Sequence, residues 1–163
     1  MKARGRIQHY LRQQAADYQP LLDWDEKGAQ RVAAAVRVPG RRVAKAVVVR
    51  DAGGAPTMVL LPATERLDLR ALSWALGNST LALATEKDLG ALFPDCDRGV
   101  VPPYGALYGL RVYVDPCLSG MREIVLPAGD GRGAVAMAWP EFQRLARPIV
   151  GQLCFHRLPG RAA

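Results

Sequence analysis

Apolar side chains recur at two periods along this chain, and the switches between them sketch a mixed fold. Ile7, Tyr10, Leu11 and Tyr18 share one helical face, so residues 5–18 read as an amphipathic helix that Pro20 ends. Ala29, Val32, Ala33 and Val36 repeat the i, i+3, i+4, i+7 spacing, which predicts a second helix near 27–37, stopped by Pro39-Gly40. The period then changes. Residues 43–50 are rich in valine and read as a strand, Gly53-Gly54 as a turn, and 57–61 as its partner strand. Leu69, Leu72 and Leu76 mark a third helix closed by Gly77. A short strand at 80–84 leads to Thr85, which caps a fourth helix with Asp88 at the capping-box position; that helix ends at Phe93-Pro94. A loop rich in glycine and proline covers 95–105. Strands follow at 111–115, 122–126 and 134–138, and Pro140 suits the first turn of a last helix carrying Phe142, Leu145 and Ala146.

About six strands and five helices, without a strict βαβα alternation, predict an α/β protein of the α+β type. The architecture expected is a mixed β-sheet or partial barrel with outer helices. The phosphate-loop patterns GxGxxG and GxxxxGK[ST] are absent from the sequence.

Composition bounds this picture. With 163 residues, half of them apolar and 23% charged, the chain fits one domain, expected over 1–154 with a frayed tail at 155–163. The apolar content is too high for a disordered chain. No apolar run reaches the ~18 residues of a membrane span. The N-terminus is basic, but polar Gln8-His9-Tyr10 follows where a signal peptide would be apolar. Cys96, Cys117 and Cys154 are odd in number and lack CxxC spacing, which points to reduced thiols and a cytoplasmic location.

The charge is uneven. The net charge is +7, and residues 1–50 alone hold 11 basic and four acidic side chains, so the rest is neutral. Such a lobe suits a polyanion approaching from one side, nucleic acid being the obvious candidate; a solvated basic surface is the other reading. Arginine dominates the basic set, and its planar fork matches phosphate oxygens.

Catalytic side chains are scarce. His9 and His156 stand near opposite ends, and no cluster has metal-ligand spacing, so neither metal nor cofactor is expected. Ser73, Ser79 and Ser119 lie outside any GxSxG pattern. Cys96 and Cys117 read as small buried hydrophobes. Lys45 stands out, because both faces of the 43–49 strand are apolar and lysine is rarely buried without a partner. It either points into a cleft to hold an anionic or carbonyl group, or snorkels to water. The run Gly99-Val100-Val101-Pro102-Pro103-Tyr104-Gly105 combines a residue that permits positive φ with stiffening prolines. It is either a rigid loop that presents backbone N–H groups to an oxyanion or an ordinary turn.

Together these features resemble a known family. Val38-Pro39-Gly40 followed by Ala44-Lys45-Ala46-Val47-Val48-Val49 resembles the "vpg…laK.vvv" signature of YbaK/EbsC-like domains, the family of the prolyl-tRNA synthetase editing domain and its free-standing relatives. Leu61-Pro62-Ala63 with Arg66-Leu67-Asp68, Ala84-Thr85-Glu86 with Leu92-Phe93-Pro94, the Gly99–Gly105 loop, Val112-Tyr113-Val114-Asp115 and Ala128-Gly129 match later segments in order, over roughly residues 5–147.

The resemblance implies a metal-independent, trans-editing hydrolase that deacylates misacylated tRNA, typically tRNA(Pro) carrying a small wrong amino acid such as alanine or cysteine. It assigns catalysis to Lys45 and Gly99, and substrate contacts to Val100, Val101, Pro102, Pro103, Gly105, Asp115 and Gly129. With the basic lobe it suggests Arg4, Arg6, Arg12, Arg41 and Arg42 as tRNA contacts. Aminoacyl-tRNA is the partner expected, an aminoacyl-tRNA synthetase an optional one, and a monomer is favoured. The alternative is a catalytically silent module of the same fold that binds tRNA or synthetase. The sequence departs from the family pattern where a histidine is usual, since Tyr18 is followed by Asp23 and Trp24; Gly28 to Arg31 replace the usual Ser/Thr before the second helix.

Overall fold

The computed structural model describes residues 2–21, 37–77, 79–130 and 133–155. The helix expected near 27–37 and the Asp23-Trp24 departure lie outside the described residues, as does the tail beyond Phe155.

The first helix, α1 (Ala3–Gln13), buries Ala3, Ile7 and Leu11. It is shorter than its apolar spacing predicts. Ala15 takes a left-handed conformation at φ 47°, the Ala15 N–H bonds Arg12 O, and the Ala16 N–H bonds Leu11 O. This is a Schellman stop with alanine where glycine is usual. Tyr18 therefore lies beyond the helix, just before the two-residue strand β1 (Gln19–Pro20).

A 3-10 turn at Gly40–Arg42 leads into β2 (Ala44–Asp51), which pairs antiparallel with β3 (Pro56–Pro62), Lys45 opposite Leu61. Helix α2 (Leu69–Ala75) is capped by the Asp68 carboxylate, which accepts from the Arg70 and Ala71 N–H groups. Strand β4 (Leu81–Leu83) pairs with the end of β2. Helix α3 (Glu86–Leu92) opens with the predicted capping box between Thr85 and Asp88, and Asp88 also pairs with Arg50 of β2 at 3.2 Å. After the loop and a 3-10 turn at Gly105–Tyr108 come β5 (Arg111–Val114), the short helix α4 (Pro116–Ser119), β6 (Glu123–Pro127), β7 (Ala134–Ala138), α5 (Trp139–Ala146) and β8 (Ile149–Val150).

The strands form two sheets, β1-β7-β6 and β4-β2-β3-β5-β8. The β3–β5 and β5–β8 pairs are parallel and the other pairs antiparallel. A bridge between Val43 and Val125 joins the sheets without closing a barrel. The mixed α+β architecture is as expected; α4, β1 and β8 are short additions.

Three apolar clusters follow from strand alternation. The main core lies between the sheets. It combines Ile7 and Leu11 of α1, Ala44 and Val48 of β2, Met58 and Leu60 of β3, Ile124 and Leu126 of β6, Met137 and Phe142. The outer face of the larger sheet carries Val49, Val59, Leu61 and Tyr113, covered by Leu72 of α2 and by Leu153 and Cys154. Val43, Ala63, Val125 and Ala134 form a third cluster, against which Leu21 and Val38 pack. Burying each such Leu, Ile or Phe contributes about 1.5–3 kcal/mol.

Candidate active site

Lys45 shares its strand face with Val43, Val47 and Val49, while Ala44, Ala46 and Val48 enter the core between the sheets. Its side chain is half-buried, and its amine donates to the Glu65 backbone carbonyl in the turn after β3. This geometry combines both readings of the strand pattern: the stem is packed and the head reaches a carbonyl near the surface. Burial lowers the Lys45 pKa from its ordinary value; Cys154 and Glu65 oppose the shift, and Arg66 adds to it.

The turn that holds the Lys45 amine and the neighbouring Leu153–Cys154 segment form a shelf, and Asp115 supports it from below. It is wholly buried at the end of β5. One carboxylate oxygen accepts the Cys117 N–H at 2.8 Å, and the other accepts the Leu153 and Cys154 N–H groups at 2.8 and 3.0 Å. Burial alone would raise its pKa, but the amide hydrogen bonds outweigh burial and hold it below its ordinary value. The carboxylate is thus engaged by three backbone N–H groups and by the Cys117 and Cys154 thiols, which fixes the segment that carries Cys154.

The loop is held from the other side of the sheet. Val101 and Tyr104 pack against the core between the sheets, the face opposite Lys45. Pro102, Pro103, Tyr104 and Gly105 are buried, and Gly99 is exposed at φ 76°. A Cβ at Gly105 would lie 2.4 Å from Val112, so that glycine is required by close packing. The two ends of the loop are stapled. The Tyr108 hydroxyl donates to the Asp95 carboxylate (3.1 and 3.3 Å), and the Arg6 guanidinium lies 4.6 Å over the Tyr108 ring and 3.5 Å from Asp95. Phe93 meets the Tyr108 ring edge-on, and the Ala3 N–H bonds Asp95 O. Helix α1 is therefore part of the loop's support.

Two pockets flank this loop. One, of about 190 Å³, is lined by Gly99, Val100, Cys96, Arg98 and residues of α3. The other, of about 90 Å³, is lined by Tyr18, Leu21, Tyr104, Ala128, Val135 and the inner face of α1. Lys45 lines neither, so the two expected catalytic residues sit in separate surroundings. Between the Val43 bridge and Val49, however, β2 has a partner strand only on its β3 side among the described residues. Gly129 is buried against Ala3 and Cys96, outside both pockets.

The expected RNA contacts divide. Arg4 pairs with Asp130 at 2.6 Å, Arg6 with Asp95 and Arg42 with Glu123 at 2.8 Å. Arg12 and Arg41 are exposed. The thiols are poor nucleophiles: burial pushes Cys96 up to about 11 and raises Cys154 and Cys117 as well. Cys96 is half-buried, Cys154 is buried, and Cys117 is exposed rather than buried. Among the described residues no group of three or more His, Cys, Asp or Glu could hold a metal ion, and no helix is long and apolar enough to cross a membrane.

Glu65 and Asp95 escaped the sequence pattern, and the contacts of Arg66 and Tyr108 escaped with them. Their partners lie 13 to 89 residues away or on the backbone, so no local spacing marks them.

The fold defines a class first. It matches the crystal structure of a proposed trans-editing enzyme for prolyl-tRNA synthetase at TM-score 0.83 and 24% identity, covering 96% of this chain and 99% of that one. It also matches a structure from work on computational epitope grafting onto scaffold proteins (TM-score 0.81, 26% identity, 94% and 97% covered). A third match is the hypothetical protein APE2540 (TM-score 0.80, 17% identity, 91% and 99% covered). No curated protein matches the sequence. The aminoacyl-tRNA editing domain family matches residues 25–145, so the chain belongs to that family and its class of activity is aminoacyl-tRNA editing.

Proposed function

We propose that this protein is a trans-acting, metal-independent deacylase that hydrolyses misacylated tRNA, with tRNA(Pro) carrying alanine or cysteine as the first substrates to test. The observation that carries this reading is the family match over 25–145, a span that contains both Lys45 and the Gly99–Gly105 loop. The domain is read as 1–154, working in the cytoplasm as a monomer, with a synthetase as an optional partner.

An aminoacyl ester is already activated, and a ribose hydroxyl lies beside its carbonyl. A bound water attacks the carbonyl carbon, its proton passing through that hydroxyl to the ester oxygen that leaves. The ester C–O bond then breaks, leaving the free amino acid and the tRNA hydroxyl. In this reading the Gly99 and Val101 N–H groups face the developing oxyanion, the Val100 N–H being held by the Asp97 carbonyl, with Val100, Val101 and Gly105 shaping the aminoacyl side. Lys45 holds the ester end from the other face of β2. Gly129 and Asp115 keep α1 and the shelf in place. The basic side chains Arg4, Arg6, Arg12, Arg41 and Arg42 face the RNA, with Arg12 and Arg41 the first to test because they are exposed. Editing serves where a pocket rejects a smaller side chain weakly by binding alone.

The test is deacylation of an aminoacyl-tRNA panel by purified protein, with Lys45→Ala alongside. Turnover of one species that falls by about 100-fold or more in the variant, with RNA binding retained, is the expected result. Turnover unchanged in Lys45→Ala removes the proposed mechanism. RNA bound with no turnover of any species would favour the silent binding module.

A further inference from the structure

We propose that Phe155 and Arg66 form a stacking platform for an unpaired base at the 3′ end of the RNA that presents the ester to Lys45; the proposal rests on the deacylase reading above. Phe155 is 60% exposed. Its backbone is nonetheless firmly held. The Phe155 N–H donates to Arg66 O at 3.1 Å, Cys154 bridges Leu67, and the Asp68 N–H bonds Leu153 O at 2.7 Å. The buried Asp115 carboxylate holds the N–H groups of Leu153 and Cys154. The ring is thus exposed on a fixed backbone, the arrangement that makes an aromatic effective for stacking at small entropic cost.

The same segment leads directly to Lys45. Its amine bonds the carbonyl of Glu65, the residue before Arg66, and Arg66 is bonded through its own carbonyl to Phe155. Phe155 and Arg66, both exposed, are therefore joined through the backbone of 65–66 to the carbonyl that the Lys45 amine holds. This combination suits a single-stranded nucleotide: the base stacks on the ring, the guanidinium caps it or meets its phosphate, and neither contact needs a particular base. In an aminoacyl-tRNA the ester sits on the terminal ribose, so its base must lie next to whatever holds the ester. An acidic peptide would satisfy Arg66 but leave the ring unused.

The experiment uses the full chain and an RNA hairpin with a short unpaired 3′ tail ending in 2-aminopurine. The wild type should quench the probe on binding. Phe155→Ala should abolish the quenching and weaken binding about tenfold or more, Phe155→Trp should restore both, and a blunt-ended hairpin should bind Phe155→Ala and wild type alike. Deacylation is measured in parallel, where the loss should appear in KM rather than kcat. If the wild type hydrolyses its substrate while Phe155→Ala shows unchanged quenching and KM, the platform is wrong and the deacylase reading stands. If the wild type quenches through Phe155 but hydrolyses nothing, the platform stands and the catalytic reading falls. Equal weakening on tailed and blunt hairpins would overturn the platform, because Phe155 would then act on something other than the unpaired base.

Discussion

Two aspartates hold the two halves of the candidate site, and they do it in different ways. Asp115, under the segment that Lys45 reaches, is wholly buried and accepts three backbone N–H groups, with the Cys117 and Cys154 thiols bonded beside them. Asp95, under the loop, keeps 12% of its side chain exposed and bonds side chains, Tyr108 and Arg6. Backbone amides cannot rotate away or be exchanged by one substitution, so the shelf is fixed in position. The loop depends on long side chains that must be ordered to act, and the Arg6–Asp95 pair is long, at 3.5 Å, with Arg6 40% exposed, so it contributes little. The shelf is therefore built to hold a cation in one place, whereas the loop can adjust by small changes in its staple.

The largest effect expected on stability tests the shelf. Asp115→Asn leaves one acceptor oxygen for three N–H groups and turns a donor toward the rest. It should cost about 3 kcal/mol, read as a lowered midpoint in chemical denaturation. The pH dependence has a definite sign. The folded pKa of Asp115 is depressed, so its contribution is present above the unfolded value, about 3.9, and is lost as the pH falls through the folded one. The gap between wild type and variant should therefore narrow below about pH 4. A gap that stays constant through this range would mean that the carboxylate's charge is not what holds the segment.

The second prediction moves to the loop. Gly105→Ala would place a Cβ 2.4 Å from Val112 and 3.2 Å from Met58, in the core between the sheets. Overpacking of this kind costs about 1–3 kcal/mol. Thermal melts should show it clearly, and pairing it with Val112→Ala should recover part of the loss. The third is smaller. Tyr108→Phe keeps the ring under Arg6 and against Phe93 but removes the hydroxyl from Asp95, for about 1 kcal/mol. If Tyr108→Phe cost as much as Asp115→Asn, the contrast between the two anchors would be lost.

The same contrast explains what the sequence disclosed. Elements set by local periodicity or capping chemistry were legible: the valine-rich β2, the Thr85–Asp88 capping box and the proline at the start of α5 all stand where their spacing puts them. The end of α1 was not, because its stop uses Ala15 in a left-handed conformation, and alanine carries no such signal. Lys45 was conspicuous as a charge in an apolar strand, but its partner is a backbone carbonyl 20 residues on, which no side-chain pattern marks. The staple between Arg6 and Asp95 spans 89 residues, so α1 read as an RNA-facing helix while the structure also makes it the loop's support. The separation of Lys45 from the loop was hidden for a simpler reason. Alternation assigns residues to faces, but only the sheet order shows which element covers each face.

An effect on stability as small as that of Tyr108→Phe is expected at Gly99, and it separates conformation from packing within one loop. Nothing lies within 4 Å of a Cβ built there, so space does not require glycine; the φ of 76° does. Gly99→Ala should cost about 1 kcal/mol through backbone strain alone, and Gly99→Asn, which tolerates this region better, should cost less. Because Gly99 is exposed, either loss should leave the rest of the fold unchanged. If the Gly99 and Val101 N–H groups face the ester, Gly99→Ala should lower kcat by about tenfold while the melting temperature falls only slightly, and Gly99→Asn should recover much of that rate. If both variants keep wild-type kcat, the loop's backbone has no part in the chemistry. The catalytic assignment would then rest on the Lys45 side of the sheet alone.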